Sequence, residues 1–266
     1  MKRVSLFLTV VGLTTMIAFG QKKETRQVSG FTGINASSVF DITVRKGSAE
    51  SLIIEADDAV MPLVRSEVRN GVLHLYLDNE RNAKNIKTLK ATVVMRNLEE
   101  VSLSGVSKLK SNDLFTPIMF KGDCSGVSSM TIHVNTGQLS LEASGASKIQ
   151  MKANVTGDVK LDASSTSKIE GELNAVNVNL KTSGVSKVEL KGSATDIKID
   201  TSGTSKLDAN NFTVKTASVE SSGTSKITLN VVDALKVNSS GTSSVEYKGS
   251  PIIDAKVSGV SKVRKI

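Results

Sequence analysis

Val178-Asn179-Leu180-Lys181-Thr182-Ser183-Gly184-Val185-Ser186-Lys187-Val188-Glu189-Leu190 contains the pattern from which most of this chain is built. Val178, Leu180 and Thr182 alternate with Asn179, Lys181 and Ser183, the period of a strand with one buried face. Gly184 follows where the chain must bend, because glycine tolerates backbone angles closed to other residues. Ser186, Val188 and Leu190 then alternate with Lys187 and Glu189 in a second strand.

The central phrase, Ser-Gly-x-Ser-Lys followed by an aliphatic residue, recurs from Ser104, Ser144, Ser183, Ser202, Ser222 and Ser258. Variants run from Ser125 to Met130, from Ser164 to Ile169 (Ser165 replaces the glycine) and from Ser240 to Val245. These nine copies follow one another at 18 to 21 residues. Such a period marks one supersecondary unit stacked repeatedly, each copy unable to bury its apolar face alone. About 19 residues at a strand rise of 3.3 Å give a perimeter of roughly 60 Å, which fits a prism of two or three short sheets. The expected fold is all-β: a right-handed parallel β-helix with about 19–20 residues per coil, its hand taken from the general crossover preference.

Stacking turns sequence columns into spatial ones. Ser107, Ser128, Ser147, Ser167, Ser186, Ser205, Ser225, Ser243 and Ser261 fall two places after the bend and face inward, as a structural serine ladder. Cys124 joins Ala143, Ala163, Thr182, Thr201, Ser221 and Ser239 in a column of small buried fillers. Lys148, Lys168, Lys187, Lys206 and Lys226, with Lys108 and Lys262, line one outer face. That row could receive an anionic ligand. However, Glu170, Glu189, Asp208 and Glu246 stand two residues further along the same face, so a mutually neutralised surface is the competing reading.

Composition agrees with short aliphatic strands. Aromatic residues make up 3% of the 266 residues, with no Trp. The start resembles an export signal, residues 1–20: Lys2 and Arg3, an apolar run to Phe19, then small residues before Gln21. Loss of Lys2 and Arg3 takes the net charge from +8 to +6. The single cysteine forms no intrachain disulfide, leaving stability to the stack. Residues 21–27 are expected to be a linker, 28–100 an N-terminal cap and 101–266 the repeats, with 28–266 one continuous domain. In the cap, Asp57 or Asp58 can start a short helix near 59–67 with Pro62 early in it. Asn70-Gly71 is a tight-turn signal.

Chemistry-bearing motifs are sparse. His74 and His133 are isolated, and no phosphate loop, dinucleotide fingerprint or cysteine pair occurs. The paired carboxylates are Asp57-Asp58 and Glu99-Glu100. No catalytic residue, metal or cofactor is expected, and nucleic acid lacks its stacking aromatics.

Phe31-Thr32-Gly33-Ile34-Asn35 places a Gly-Ile-Asn triplet early in the chain. It is followed by the Val39–Val44 strand, the Asn70-Gly71 turn and the serine-glycine repeats. In that order, over roughly residues 28–263, the chain resembles the head-GIN domain family, exported β-helical proteins of Bacteroidota named for autotransporter adhesins. The resemblance implies a right-handed β-helix in the cell envelope: periplasm, outer-membrane surface or outside the cell. It brings no catalytic residues. The expected role is a non-enzymatic adhesin or interaction module, with an anionic envelope glycan or a surface protein as partner. A polysaccharide-processing β-helix enzyme and a purely structural scaffold are the alternatives. The last phrase ends at Val263 with three residues to follow, so a homo-oligomer through the C-terminal end of the stack is a further expectation.

Overall fold

The computed structural model of the chain describes residues 20–78 and 85–266. The export signal expected over residues 1–20 lies, except for Gly20, outside the described residues. The N-terminal part carries β1 (Gln21–Arg26), β2 (Gly33–Ala36), β3 (Asp41–Lys46), β4 (Ser51–Asp57), β5 (Val64–Arg69), β6 (Val72–Leu77) and β7 (Leu89–Met95). The repeats open with β8 (Glu100–Leu103), β9 (Lys108–Phe115), β10 (Met119–Cys124), β11 (Ser129–Thr136), β12 (Gln138–Ala143), β13 (Lys148–Val155), β14 (Asp158–Ala163), β15 (Lys168–Asn174) and β16 (Asn177–Thr182). Three long strands follow, β17 (Lys187–Thr201), β18 (Lys206–Ser221) and β19 (Lys226–Ser239). The chain closes with β20 (Ser244–Lys248), β21 (Ile252–Val257) and β22 (Lys262–Lys265).

Each coil gives one strand before its serine-glycine bend and one after it. Strands before the bend stack in parallel in the order β6, β2, β8, β10, β12, β14, β16, the ends of β17, β18 and β19, then β21. Strands after the bend stack as β7, β3, β9, β11, β13, β15, the starts of β17, β18 and β19, then β20 and β22. Side chains about twenty places apart therefore become neighbours. Leu141, Leu161, Leu180, Ile199, Val219 and Val237 form one inward column in which none is more than 1% exposed.

The bend repeats with its backbone in register. Thr204 N–H donates to Gly184 O at 2.7 Å, Thr224 N–H to Gly203 O at 2.7 Å and Thr242 N–H to Gly223 O at 2.8 Å. Two constraints select glycine here. Gly203 has φ +71°, and a Cβ on it would lie 2.6 Å from the Gly184 carbonyl oxygen of the coil below.

The N-terminal part is not only a cap. β2 and β3 form a complete coil, inserted between the β6–β7 coil and the β8–β9 coil. Ser37-Ser38-Val39 is its bend: Ser38 has φ 72°, and Val106 N–H donates to Ser38 O at 2.7 Å. Beyond this, β5 pairs antiparallel with β6, β4 antiparallel with β7, and β1 antiparallel with β4.

Two sequence expectations fail at this end. The helix near 59–67 is a single 3-10 turn, Met61–Leu63, with no side-chain cap on it, and Val64–Arg69 is strand. Antiparallel backbone pairing with β6 overrides the local helix-start signals. The Asp57 carboxylate instead accepts the Lys87 and Thr88 N–H groups at 2.7 and 3.2 Å. Residues 21–27 are not a free linker, because β1 pairs with β4 along its whole length. Arg26 also fastens it by donating to Val64 O at 3.0 Å and Ser66 Oγ at 3.1 Å.

Candidate functional site

The outer face of the second sheet concentrates the polar chemistry. Register sets Lys148, Lys168, Lys187, Lys206 and Lys226 directly over one another, continuing from Lys108 through Ser129 and on to Lys262 through Ser244. Two places on, Gln150, Glu170, Glu189 and Asp208 form the neighbouring column. Cross-links join the two. Glu170 receives Lys148 at 2.6 Å and also binds Lys168; Lys168 reaches on to Glu189 at 3.0 Å, which Lys187 also binds. Thr131 donates to Gln150 at 3.3 Å and Gln150 to Glu170 at 2.7 Å, extending the network across the coils. Lys226 meets Glu246 at 3.5 Å, and Glu246 also binds Arg264. Among the described residues no ion pair involves Lys206.

This network sets acidity. Burial raises the Glu170 carboxyl, but hydrogen bonds from Lys148, Lys168 and Gln150 outweigh it and hold the pKa down at about 2. Glu189 is also lowered, by hydrogen bonds from Lys187 and Lys168. A carboxyl depressed in the folded state stabilises fully above its unfolded value, usually near 4.5, and that contribution disappears as pH falls toward about 2. Thermal unfolding midpoints should therefore drop between about pH 5 and pH 2. The Glu170→Gln variant should show a shallower drop over that window; an unchanged slope would contradict the network.

Beside the network the face opens into a groove of about 690 Å³. Asn112, His133, Gln150, Lys152, Glu172 and Lys191 are among its polar lining. Lys152 and Glu172 stand 3.6 Å apart within it. Gly171 sits at the same lining, in register between Met151 and Leu190. A Cβ there would lie 1.9 Å from the Met151 carbonyl oxygen, so only glycine lets the strands approach at this point. The sequence column gave the lysines but not the groove, whose shape depends on this close approach. The site offers hydrogen-bond donors and acceptors in every coil, with cationic and anionic groups close together. Such a surface suits a polar, extended ligand.

The other singled-out residues stand apart from this face. Eight of the nine bend serines are buried and Ser261 is half-buried. Ser147 donates to Cys124 O at 3.0 Å, Ser225 to Ser222 O at 3.0 Å and Ser243 to Ser240 O at 3.0 Å, while Ser205 and Ser225 hydroxyls lie 3.3 Å apart. Cys124 is 2% exposed in the column of Ala143, and burial pushes its thiol up to about 12, so it is no nucleophile at neutral pH. His74 lies on β6, in the N-terminal part, while His133 lines the groove on β11. Among the described residues no group of three or more His, Cys, Asp or Glu side chains is placed to hold a metal.

The fold has solved counterparts. A structure titled "putative adhesin" from Parabacteroides merdae superposes with a TM-score of 0.69 at 17% identity, over 93% of this chain and 96% of that one. One titled "Putative lipid binding protein" from Parabacteroides distasonis gives 0.67 at 14% identity, over 93% and 97%. A further "putative adhesin", from Bacteroides fragilis, gives 0.52 at 21% identity, over 92% and 97%. At these identities the likeness is one of fold. No curated protein matches the chain. The sequence profile described as "Putative auto-transporter adhesin, head GIN domain" matches residues 30–170 and again 153–251. With the Gly33-Ile34-Asn35 strand and the stacked bends both in place, the chain belongs to the head GIN domain family.

Proposed function

We propose that the protein is an exported, non-catalytic interaction module that adheres, through the outer face of its second sheet, to a glycan of the cell envelope or cell surface. The observation carrying this reading is the 690 Å³ groove, along which His133, Lys152, Glu172 and Lys191, one from each successive coil, line up with the stack. Membership of a family named for adhesins supports it. Export rests on the apolar run after Lys2 and Arg3. Glu170 and Glu189 offset part of the positive charge of Lys148, Lys168 and Lys187, which are engaged with them. Anionic glycans should bind weakly and with salt sensitivity.

A glycan array probed with the purified protein is the test. Binding is expected to envelope or surface glycans, weakened about tenfold by removing His133 and Lys191 side chains together as alanine substitutions. Heparin-like polymers should be released at roughly 0.5 M salt. Release of shortened products from anionic glycans would replace this reading with the polysaccharide-processing one. Binding to phospholipid vesicles with no glycan retained would also overturn it, in favour of the lipid role for which one structurally similar protein is named.

A further inference from the structure

The two ends of the stack are finished differently. At the N-terminal end the outermost strands, β1 and β5, carry Lys22, Lys23 and Glu24 on one and Arg65, Glu67 and Arg69 on the other, a charge density that discourages pairing. At the other end, among the described residues, β21 pairs only with β19 and β22 only with β20. Residues of β21 that continue the buried columns are open: Ile253, in register with Leu235, is 42% exposed, and Val257, in register with Ser239, is 50% exposed. Ile252 is 82% exposed. An apolar core section and a strand edge thus face outward together.

That edge complements itself. Ser258 N–H donates back to Ser239 O at 2.9 Å. Alternation along the strand therefore turns the N–H and C=O groups of Ile253, Ala255 and Val257 toward the open side. We propose that a second copy of the chain docks here, end to end, with β21 pairing antiparallel to the partner's β21 about a two-fold axis through Ala255. In this register Ala255 faces the partner's Ala255 and Ile253 faces the partner's Val257, both as hydrogen-bonded pairs on the core side. About six backbone hydrogen bonds form. On the solvent side, Asp254 stands opposite the partner's Lys256, and Lys256 opposite the partner's Asp254, at the close, non-hydrogen-bonded positions. Shifting the axis one residue either way would set Asp254 against the partner's Asp254 or Lys256 against the partner's Lys256. Only the Ala255-centred register satisfies edge, core and charge at once. The two stacks then run away from each other, with the inward face of the β21 sheet continuous across the junction.

Sedimentation velocity across a concentration series tests this. The protein should sediment as a dimer at micromolar concentration. Ala255→Pro removes an N–H that serves only the open edge, so it should yield a folded monomer. Asp254→Lys gives a chain with two positive charges on the edge, and Lys256→Asp one with two negative charges. Each alone should dimerise about tenfold more weakly. Mixed together the two should form a heterodimer, and one chain carrying both substitutions should regain the dimer. A protein that stays monomeric at about 100 μM, far above the micromolar range of a specific interface, overturns the proposal. So does a dimer indifferent to all three single substitutions. Circular dichroism and the unfolding midpoint of each variant separate a lost interface from a lost fold.

Discussion

Leu180→Ala should lower the unfolding free energy by about 3–5 kcal/mol, read as a shift of the denaturant midpoint. Leu180 is fully buried, with Leu161 below it and Ile199 above it in the same column. Removing its side chain leaves a cavity shared by three coils. Collapse is resisted because each coil is held at its height by ladders on both sides. A solenoid's stability is a sum of coils and the interfaces between them, so the loss falls on both interfaces of the central coil. Ile253→Ala supplies the comparison. Ile253 occupies a register position of the same kind in the last coil but is 42% exposed. In the monomeric Ala255→Pro background it should cost no more than about 1 kcal/mol. Equal losses at the two positions would contradict the assignment of inward columns.

Gly203→Val should cost about 2–3 kcal/mol, from two sources that act together. A β-branched residue at φ +71° is strained, and its Cβ would press on the Gly184 carbonyl oxygen from 2.6 Å. The protein contains its own control. Ser165 occupies the equivalent bend at φ 58° and Ser38 at φ 72°. A small, polar residue is therefore tolerated there at a lower cost. Ser165→Gly should stabilise by up to about 1 kcal/mol, since relief of a left-handed serine exceeds the added chain entropy. If Gly203→Val proved neutral, the bend would not have the geometry described.

Much of the architecture could be read from the repeated phrase, because one buried face per strand and one glycine per bend dictate the stacking. The strand and bend assignments for Val178–Leu190 match β16, the Gly184 bend and the start of β17. What escaped the sequence was the coil formed by β2 and β3. There Ser38 replaces the glycine, Phe40 the inward serine and Asp41 the lysine, so only the leading Ser37 and the aliphatic Ile42 survive from the phrase. Ser164-Ser165 showed that two serines can make the bend, and Ile34, Ala36, Ile42 and Val44 keep the alternation. Those two signals together would have located it. Its position between the β6–β7 and β8–β9 coils was not legible, because a repeat read along the chain assumes that neighbours in sequence are neighbours in the stack. The helix expected near 59–67 failed for a related reason: Asp57, Asp58 and Pro62 are local signals, and the pairing of β5 with β6 is not local. The lysine column was visible as a column, but its ion pairing and the adjoining groove depend on distances between coils that no spacing conveys.

Disulfide formation between successive bends tests the stacking most directly. Val185 and Thr204 are exposed and occupy the same place in adjacent bends, joined by the Thr204 N–H to Gly184 O bond of 2.7 Å. Adjacent coils lie about 4.8 Å apart, within the Cα separation a disulfide spans. A chain carrying Val185→Cys and Thr204→Cys should oxidise rapidly and completely without loss of structure. Pairing Val185→Cys with Thr224→Cys, two coils away at about 9.6 Å, should leave both thiols free. Rapid closure of the second pair, or none in the first, would contradict a stack in which each bend rests on the one before it.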